Sequence, residues 1–265
     1  NKSEAETDKE TDKAIDKETE KEIQGVEETK EPDDGDVDDE GDEGENEQDS
    51  SEEDGTPTPQ VNDDELYDDN IVFQFSSRSK DAKPGKGAGE SIPGEQVGKF
   101  NKLRNMKNWR RMLSNFYSLP KQKDEMRKLF TLDGLNWASV EHWYQANKFK
   151  ENNNTFYKTF ALNSGSEISK DPKMAKSAGG KSGKFKGKLI RQKTIKIDDG
   201  FFDNGYNEKV MEEGQFAKYS QNAKLKFMLL ETKDAKLVHK APRQKEAVVF
   251  YDTMRIRNKL ATSGK

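Results

Sequence analysis

Charge divides this chain in two. Residues 1–70 carry 31 Asp and Glu against six Lys, a net of −25, while residues 71–265 hold 40 basic and 20 acidic residues, a net of +20. The overall value of −5 hides this segregation. A segment so acidic and so poor in apolar residues cannot bury enough surface to offset its ordering entropy. Residues 1–70 are therefore predicted to be a disordered acidic arm, and the core must come from residues 71–265, enough chain for one domain. Residues 7–22 of the arm repeat a four-residue theme, TDKE TDKA IDKE TEKE. On a helix it would align Asp8, Asp12, Asp16 and Glu20 in one stripe and Lys9, Lys13, Lys17 and Lys21 in another, with no apolar face to dock it.

Absence of cysteine excludes a disulfide scaffold and a thiolate zinc site. Two histidines, His142 and His239, leave little for an imidazole-ligated metal, so neither a metal nor a cofactor is expected. No run approaches the roughly 18 apolar residues of a spanning helix, and no apolar h-region follows a basic start. The expectation is a soluble protein with no membrane partner, intracellular, in the cytoplasm or nucleus of a cell or of viral origin. Asn153 opens an N-x-T sequon, read as chance without a signal peptide. The first residue is Asn1 and not Met, so an upstream piece, a targeting one included, can precede it.

Periodicity sets out the elements. IVFQFSS, residues 71–77, reads as a strand with Ile71, Phe73 and Phe75 on one face. The loop KDAKPGKGAGESIPG follows, and then a helix from about Lys99 through Arg111 with Leu103, Met106 and Trp109 at spacings of three. Asp133-Gly134 between apolar runs predicts a hairpin that delivers the chain to Ser139, an N-cap. The helix behind it, SVEHWYQANKF, places Glu141, Gln145 and Lys148 within about 60° of one another at about 100° per residue. Asp171-Pro172 predicts an N-cap and first-turn proline for PKMAKSA, with Gly179 as its stop. Helices are expected at about 204–219 and 221–231, with Val210, Met211 and Phe216, then Leu225, Met228 and Leu229, as apolar positions. Residues 237–239 suggest a strand, and VVFYDTMRIRNKL is helical in its second half.

AKSAGGKSGKFKGK, residues 175–188, invites a phosphate-loop reading at Gly180-Lys181-Ser182. Spacing refuses it: G-x-x-x-x-G-K-[ST] needs glycine where Ala175 stands, and the segment follows a helix and not a strand. Its five lysines and its glycines leave two alternatives, a flexible cationic loop touching phosphate or nucleic acid, or a solvated basic loop. Periodicity alone also leaves Glu141, Gln145 and Lys148 readable as an exposed edge, and His142 as a packed or capping residue.

Several fragments stand in a recognisable order: LSNF at 113–116, DGLNWASVEHWYQANKF at 133–149, AKSAGG at 175–180, VM at 210–211, KYSQNAKLKFMLLET at 218–232, AKLVH at 235–239 and MRIRNKL at 254–260. Together they resemble the NADAR, or YbiA-like, family. SSRSKDAKPGKGAGE and NWRRMLSNF look like a variant associated with large DNA viruses and some eukaryotes. The resemblance implies an α+β, predominantly helical single domain acting on N-glycosidic bonds of ribose, those of ADP-ribose derivatives and ADP-ribosylated guanine included. It implies Glu141 as the acidic catalytic residue and Lys148 as an amine near the anomeric carbon, with Glu141 ranked first. Asn115, Phe116, Trp137, Tyr144, Gln145, Lys176 and Gly179 are the implied substrate-binding positions. The chain departs from the family pattern after His239, where an expected F-W-G segment is absent, and before VM, where Phe201 or Phe202 stands in for an expected tryptophan.

The expected activity is thus hydrolysis of a ribosyl C–N bond, on an ADP-ribose-like or ribosylated-base substrate. The rival expectation is a non-catalytic basic module that binds nucleic acid or sits in a particle, shielded by its acidic arm. Both hold together if the substrate is a modified base in nucleic acid.

Overall fold

The computed structural model describes residues 66–123, 125–242 and 244–263. The expected arm up to residue 65, its repeat included, lies outside the described residues. The chain divides into residues 1–59 and 60–265, and every described residue belongs to the second unit.

The first strand, β1 (Asp68–Phe75), starts three residues ahead of the expected position, and Leu66 is already buried. Ile71, Phe73 and Phe75 are buried as alternation requires, and Phe73 meets the rings of Phe100 and Trp109 edge-on at 5.0 Å each. The helix expected over 99–111 is broken. A 3-10 turn (Gly94–Phe100) runs into α1 (Asn101–Arg104), and α2 (Trp109–Leu113) restarts after Asn108, whose φ is +60°. The left-handed residue is held because its N–H donates to Asp81 Oδ1 at 2.6 Å. Leu103, Met106 and Trp109 remain buried despite the break. Behind them Arg110 grips Glu90 through Nε and Nη2, each at 2.6 Å, and donates to the carbonyls of Ala82 and Lys83. The glycine-rich loop is thereby a braced segment of the fold.

Strands β2 (Phe130–Leu132) and β3 (Leu135–Trp137) form the expected hairpin, with positive φ at both Asp133 and Gly134, the signature of a type I′ turn. Ser139 caps α3 (Val140–Asn147), α4 (Asn154–Thr159) follows, and Asp171 caps α5 (Pro172–Gly179) through the N–H of Lys173. Short strands β4 (Lys184–Phe185) and β5 (Lys188–Leu189) make a second hairpin in the stretch expected to be a basic loop. Helices α6 (Tyr206–Ser220) and α7 (Ala223–Leu230) lie close to their expected bounds. Then come β6 (Ala235–His239), β7 (Val248–Val249) and α8 (Tyr251–Thr262).

The three-stranded sheet has the order β1-β6-β7, with β1 parallel to β6 and β7 antiparallel to it. Its two parallel strands come from opposite ends of the described chain, so the intervening helices form the bulk of an α+β domain. Helix α3 runs between α5 and α6, and two glycines permit the approach. A Cβ at Gly179 would lie 2.0 Å from Gln145 Oε1, and one at Gly214 would lie 2.6 Å from Trp143 Cδ1.

Candidate active site

The N-terminus of α3 is built around Ser139 and His142. Ser139 Oγ accepts the His142 N–H at 3.3 Å and donates to His142 Nδ1 at 2.7 Å, while Nε2–H donates to the carbonyl of Ile168 at 3.1 Å. Burial lowers the imidazole pKa to about 4, so His142 is a neutral structural ring. One residue earlier, Glu141 occupies the first turn with its N–H bonded to Asn115 O at 3.0 Å. The residue is 6% exposed. Burial drives its pKa above the usual glutamate value, and the amide of Gln145 and the charges of Lys176 and Lys148 offset only part of that rise.

Gln145 Nε2 donates to Glu141 Oε1 at 2.9 Å, the contact that i,i+4 spacing provides. Its Oε1 is buried against Gly179 without a hydrogen-bond partner. One turn on, Lys148 is 7% exposed, with Nζ 3.4 Å from Gly179 O at the C-terminal end of α5, where the helix dipole favours a cation. Three rings surround that nitrogen: Tyr144 at 5.4 Å, Phe202 at 5.4 Å and Phe201 at 6.0 Å. Phe201 is buried, whereas Phe202 is 45% exposed and forms an outer edge.

The polar edge left open by periodicity is therefore a buried one. Glu141, Gln145, Lys148, Tyr144 and Gly179 come together. Lys176, exposed on α5, acts electrostatically on Glu141 and lies 5.7 Å from the Phe116 ring, which brings the LSNF segment to the same side. Asn115 contributes its carbonyl to Glu141 N–H, and its side-chain amide donates to Met211 Sδ. Trp137 is not brought in. It is fully buried, bonded to Leu132 O and packed on Trp143 and Tyr157, so it supports the core and presents no ring to a ligand. Gly179 is required by packing against Gln145.

Asp198 escaped the sequence reading. Its carboxylate accepts the N–H groups of Glu151 and Asn152 at 2.8 and 3.0 Å, and its own N–H donates to Lys148 O at 2.7 Å. This clamp ends α3 and places the Phe201-Phe202 pair over Lys148. The signal was the Asp-Asp-Gly turn before the two phenylalanines. Arg191, also unforeseen, donates to Ala178 O and Gly180 O at 2.8 Å and to Lys181 O at 3.0 Å, which caps α5 and anchors the basic hairpin beside the site.

Among the described residues no group of three His, Cys, Asp or Glu is placed to hold a metal ion, and no helix is long and apolar enough to cross a membrane. A separate cavity of about 370 Å³ is lined by Phe156, Ile168, Met174, Ile190 and Ile195, among others. It contains none of the Glu141 group.

A search of curated proteins returns no match. Among solved structures, the chain is similar to the NMR structure of the E. coli protein YbiA, with 20% identity over 74% of this chain and 88% of that one and a TM-score of 0.41. The model of the NADAR domain matches residues 100–246, more than half of the chain and all of the α3 site. With that match, the chain belongs to the NADAR family.

Proposed function

We propose that this protein is an N-glycosidase that hydrolyses a ribosyl C–N bond, with an ADP-ribosyl conjugate or a ribosylated base as substrate. The NADAR family is linked to N-glycosidase-type activity, and the observation that carries the reading here is the buried Glu141 carboxyl bonded to Gln145 beside the ring-enclosed Lys148 amine. As the C1′–N bond breaks, positive charge develops at C1′ and its ring oxygen, and a carboxylate in a water-poor site stabilises it. The raised pKa of Glu141 favours the protonated form, which can deliver a proton to the departing base nitrogen. Water then adds to C1′, its oxygen forming the new bond and its proton returning to Glu141. Lys148 supplies positive charge for a phosphate or sugar oxygen, and Lys176 supplies a second cation at the Phe116 side.

A substrate carried in nucleic acid is favoured by one observation. Lys181, Lys184, Lys186, Lys188, Lys193 and Lys196 are all exposed on and after the hairpin anchored beside Gly179. Such a surface holds phosphates with an affinity that falls steeply with salt.

The test is incubation of the full chain and a Glu141→Gln copy with ADP-ribosylated guanine in DNA, free ADP-ribosyl conjugates and ribosylamines, with release of base followed by mass spectrometry. Cleavage by the wild type is expected, with a loss of about 10²–10⁴-fold in the variant. Absence of cleavage of all three, or equal rates in both proteins, overturns the reading.

A further inference from the structure

Lys218 sits in α6, is 0% exposed, and has no role in the chemistry above. A buried lysine usually finds a carboxylate. This one donates to the carbonyl of Ser114 at 2.8 Å and lies over the rings of Tyr219 at 4.9 Å and Tyr117 at 5.8 Å. Burial alone pushes its pKa well below the ordinary lysine value, and the amine serves as a hydrogen-bond donor inside the core.

Ser114 is followed by Asn115, whose carbonyl accepts the Glu141 N–H at 3.0 Å and whose side chain reaches Met211 on the same helix as Lys218. Next comes Phe116, the ring under Lys176. Tyr219 adds a longer contact to Leu113 O, at 3.5 Å. The residues between α2 and the hairpin are thus tied to α6 on one side and to the first turn of α3 on the other. An apolar side chain of similar length would fill the space of Lys218 without the cost of desolvating an amine. What the amine adds is a directed bond to one backbone carbonyl, one residue from the group that holds Glu141.

We propose that Lys218 is a positioning residue for Glu141, acting through Ser114 and Asn115 to hold the start of α3 and the Phe116 ring in register with each other. Its effect on turnover rests on the N-glycosidase reading, whereas its effect on the Glu141 amide does not.

The experiment compares the full chain with Lys218→Met, which keeps the length but not the donor, and Lys218→Gln, which keeps an N–H donor. Amide hydrogen exchange at Glu141 is read by NMR against the sheet amide of Phe73, alongside thermal unfolding and kcat and KM on the cleaved substrate. In the Met variant the Glu141 amide is expected to exchange about tenfold faster with Phe73 unchanged, because only the local bond is loosened. In parallel kcat should fall about tenfold with KM within about twofold, as misplacement of a reacting group predicts. The Gln variant should recover both. Wild-type exchange and kcat in a folded Met variant, or equal losses in the Met and Gln variants, overturn the proposal. Should the Met variant fail to fold, the Gln variant decides: retained protection at Glu141 supports the proposal, and loss of it in a folded protein overturns it. If no substrate is cleaved by the wild type, the activity reading fails while the exchange comparison still judges Lys218.

Discussion

Glu141 is stabilised and penalised by the same surroundings. Its amide is tied to Asn115, its carboxyl receives the Gln145 amide, and burial still leaves the charged form disfavoured. A carboxyl whose folded pKa lies above its unfolded value binds more protons in the native state, so stability falls as pH rises from the unfolded value toward the folded one. Below about the ordinary value of 4.5 both states are protonated and the penalty vanishes. Glu141→Gln, which removes the charge and keeps the shape, is therefore expected to raise stability at pH 7 by on the order of 1 kcal/mol. The gain should shrink toward zero as pH is lowered below 4.5, and denaturant unfolding at pH 4 and pH 7 checks it. A stabilised but inactive variant is the pattern of a group kept for chemistry at a cost to the fold. The same scale separates the residues that were legible from those that were not. Spacing put Glu141, Gln145 and Lys148 on one edge because helical periodicity is local. Lys218 was invisible, since a lysine in an otherwise amphipathic helix is read as solvent-facing, and only packing from the Ser114 segment buries it.

Elements meet here through missing side chains. Helix α3 lies against α5 at Gly179 and against α6 at Gly214, and a methyl group at either position would collide with Gln145 or Trp143. Gly214 is the cleaner test, because it lies in mid-helix, where alanine is intrinsically favoured by about 1 kcal/mol. The indole of Trp143 is fixed by its bond to Val210 O at 2.8 Å, so it cannot retreat without losing that bond. Gly214→Ala is expected to destabilise by about 1–3 kcal/mol, overcoming the propensity gain, with the loss measured as a lower unfolding midpoint. An unchanged or higher midpoint would mean that α3 and α6 separate easily. At this scale the hairpins and N-caps were readable, since Asp133-Gly134, Ser139 and Asp171-Pro172 carry their turn and cap chemistry in adjacent residues. The break between α1 and α2 was not, because it depends on Asp81, 27 residues upstream of Asn108.

Across the whole described domain, the first and last described elements close the fold. Strand β1 pairs in parallel with β6, and from α8 the buried guanidinium of Arg257 donates to Leu66 O and Ala235 O, both at 2.8 Å, and to Thr232 Oγ1 at 3.0 Å. Arg257→Ala would leave these oxygens without their donor in a buried place. It is expected to lower stability by about 2–4 kcal/mol, read from denaturant unfolding, and to expose β1 to limited proteolysis before the α3 site is affected. A loss below about 0.5 kcal/mol would show that water or a neighbouring group replaces it. The sequence by itself determined the segregation of charge, the alternation of β1, the caps of α3 and α5, and the one-sided placement of an acid, an amide and an amine, because each depends on residues within a few positions of one another. Only the tertiary structure decided that this edge is buried, that Trp137 supports it from within the core, that Phe201 and Phe202 enclose Lys148, and that Lys218 is buried and bonded to Ser114 O. Burial and pKa are properties of what packs against a residue, and here the packing partners lie tens of residues away in the chain.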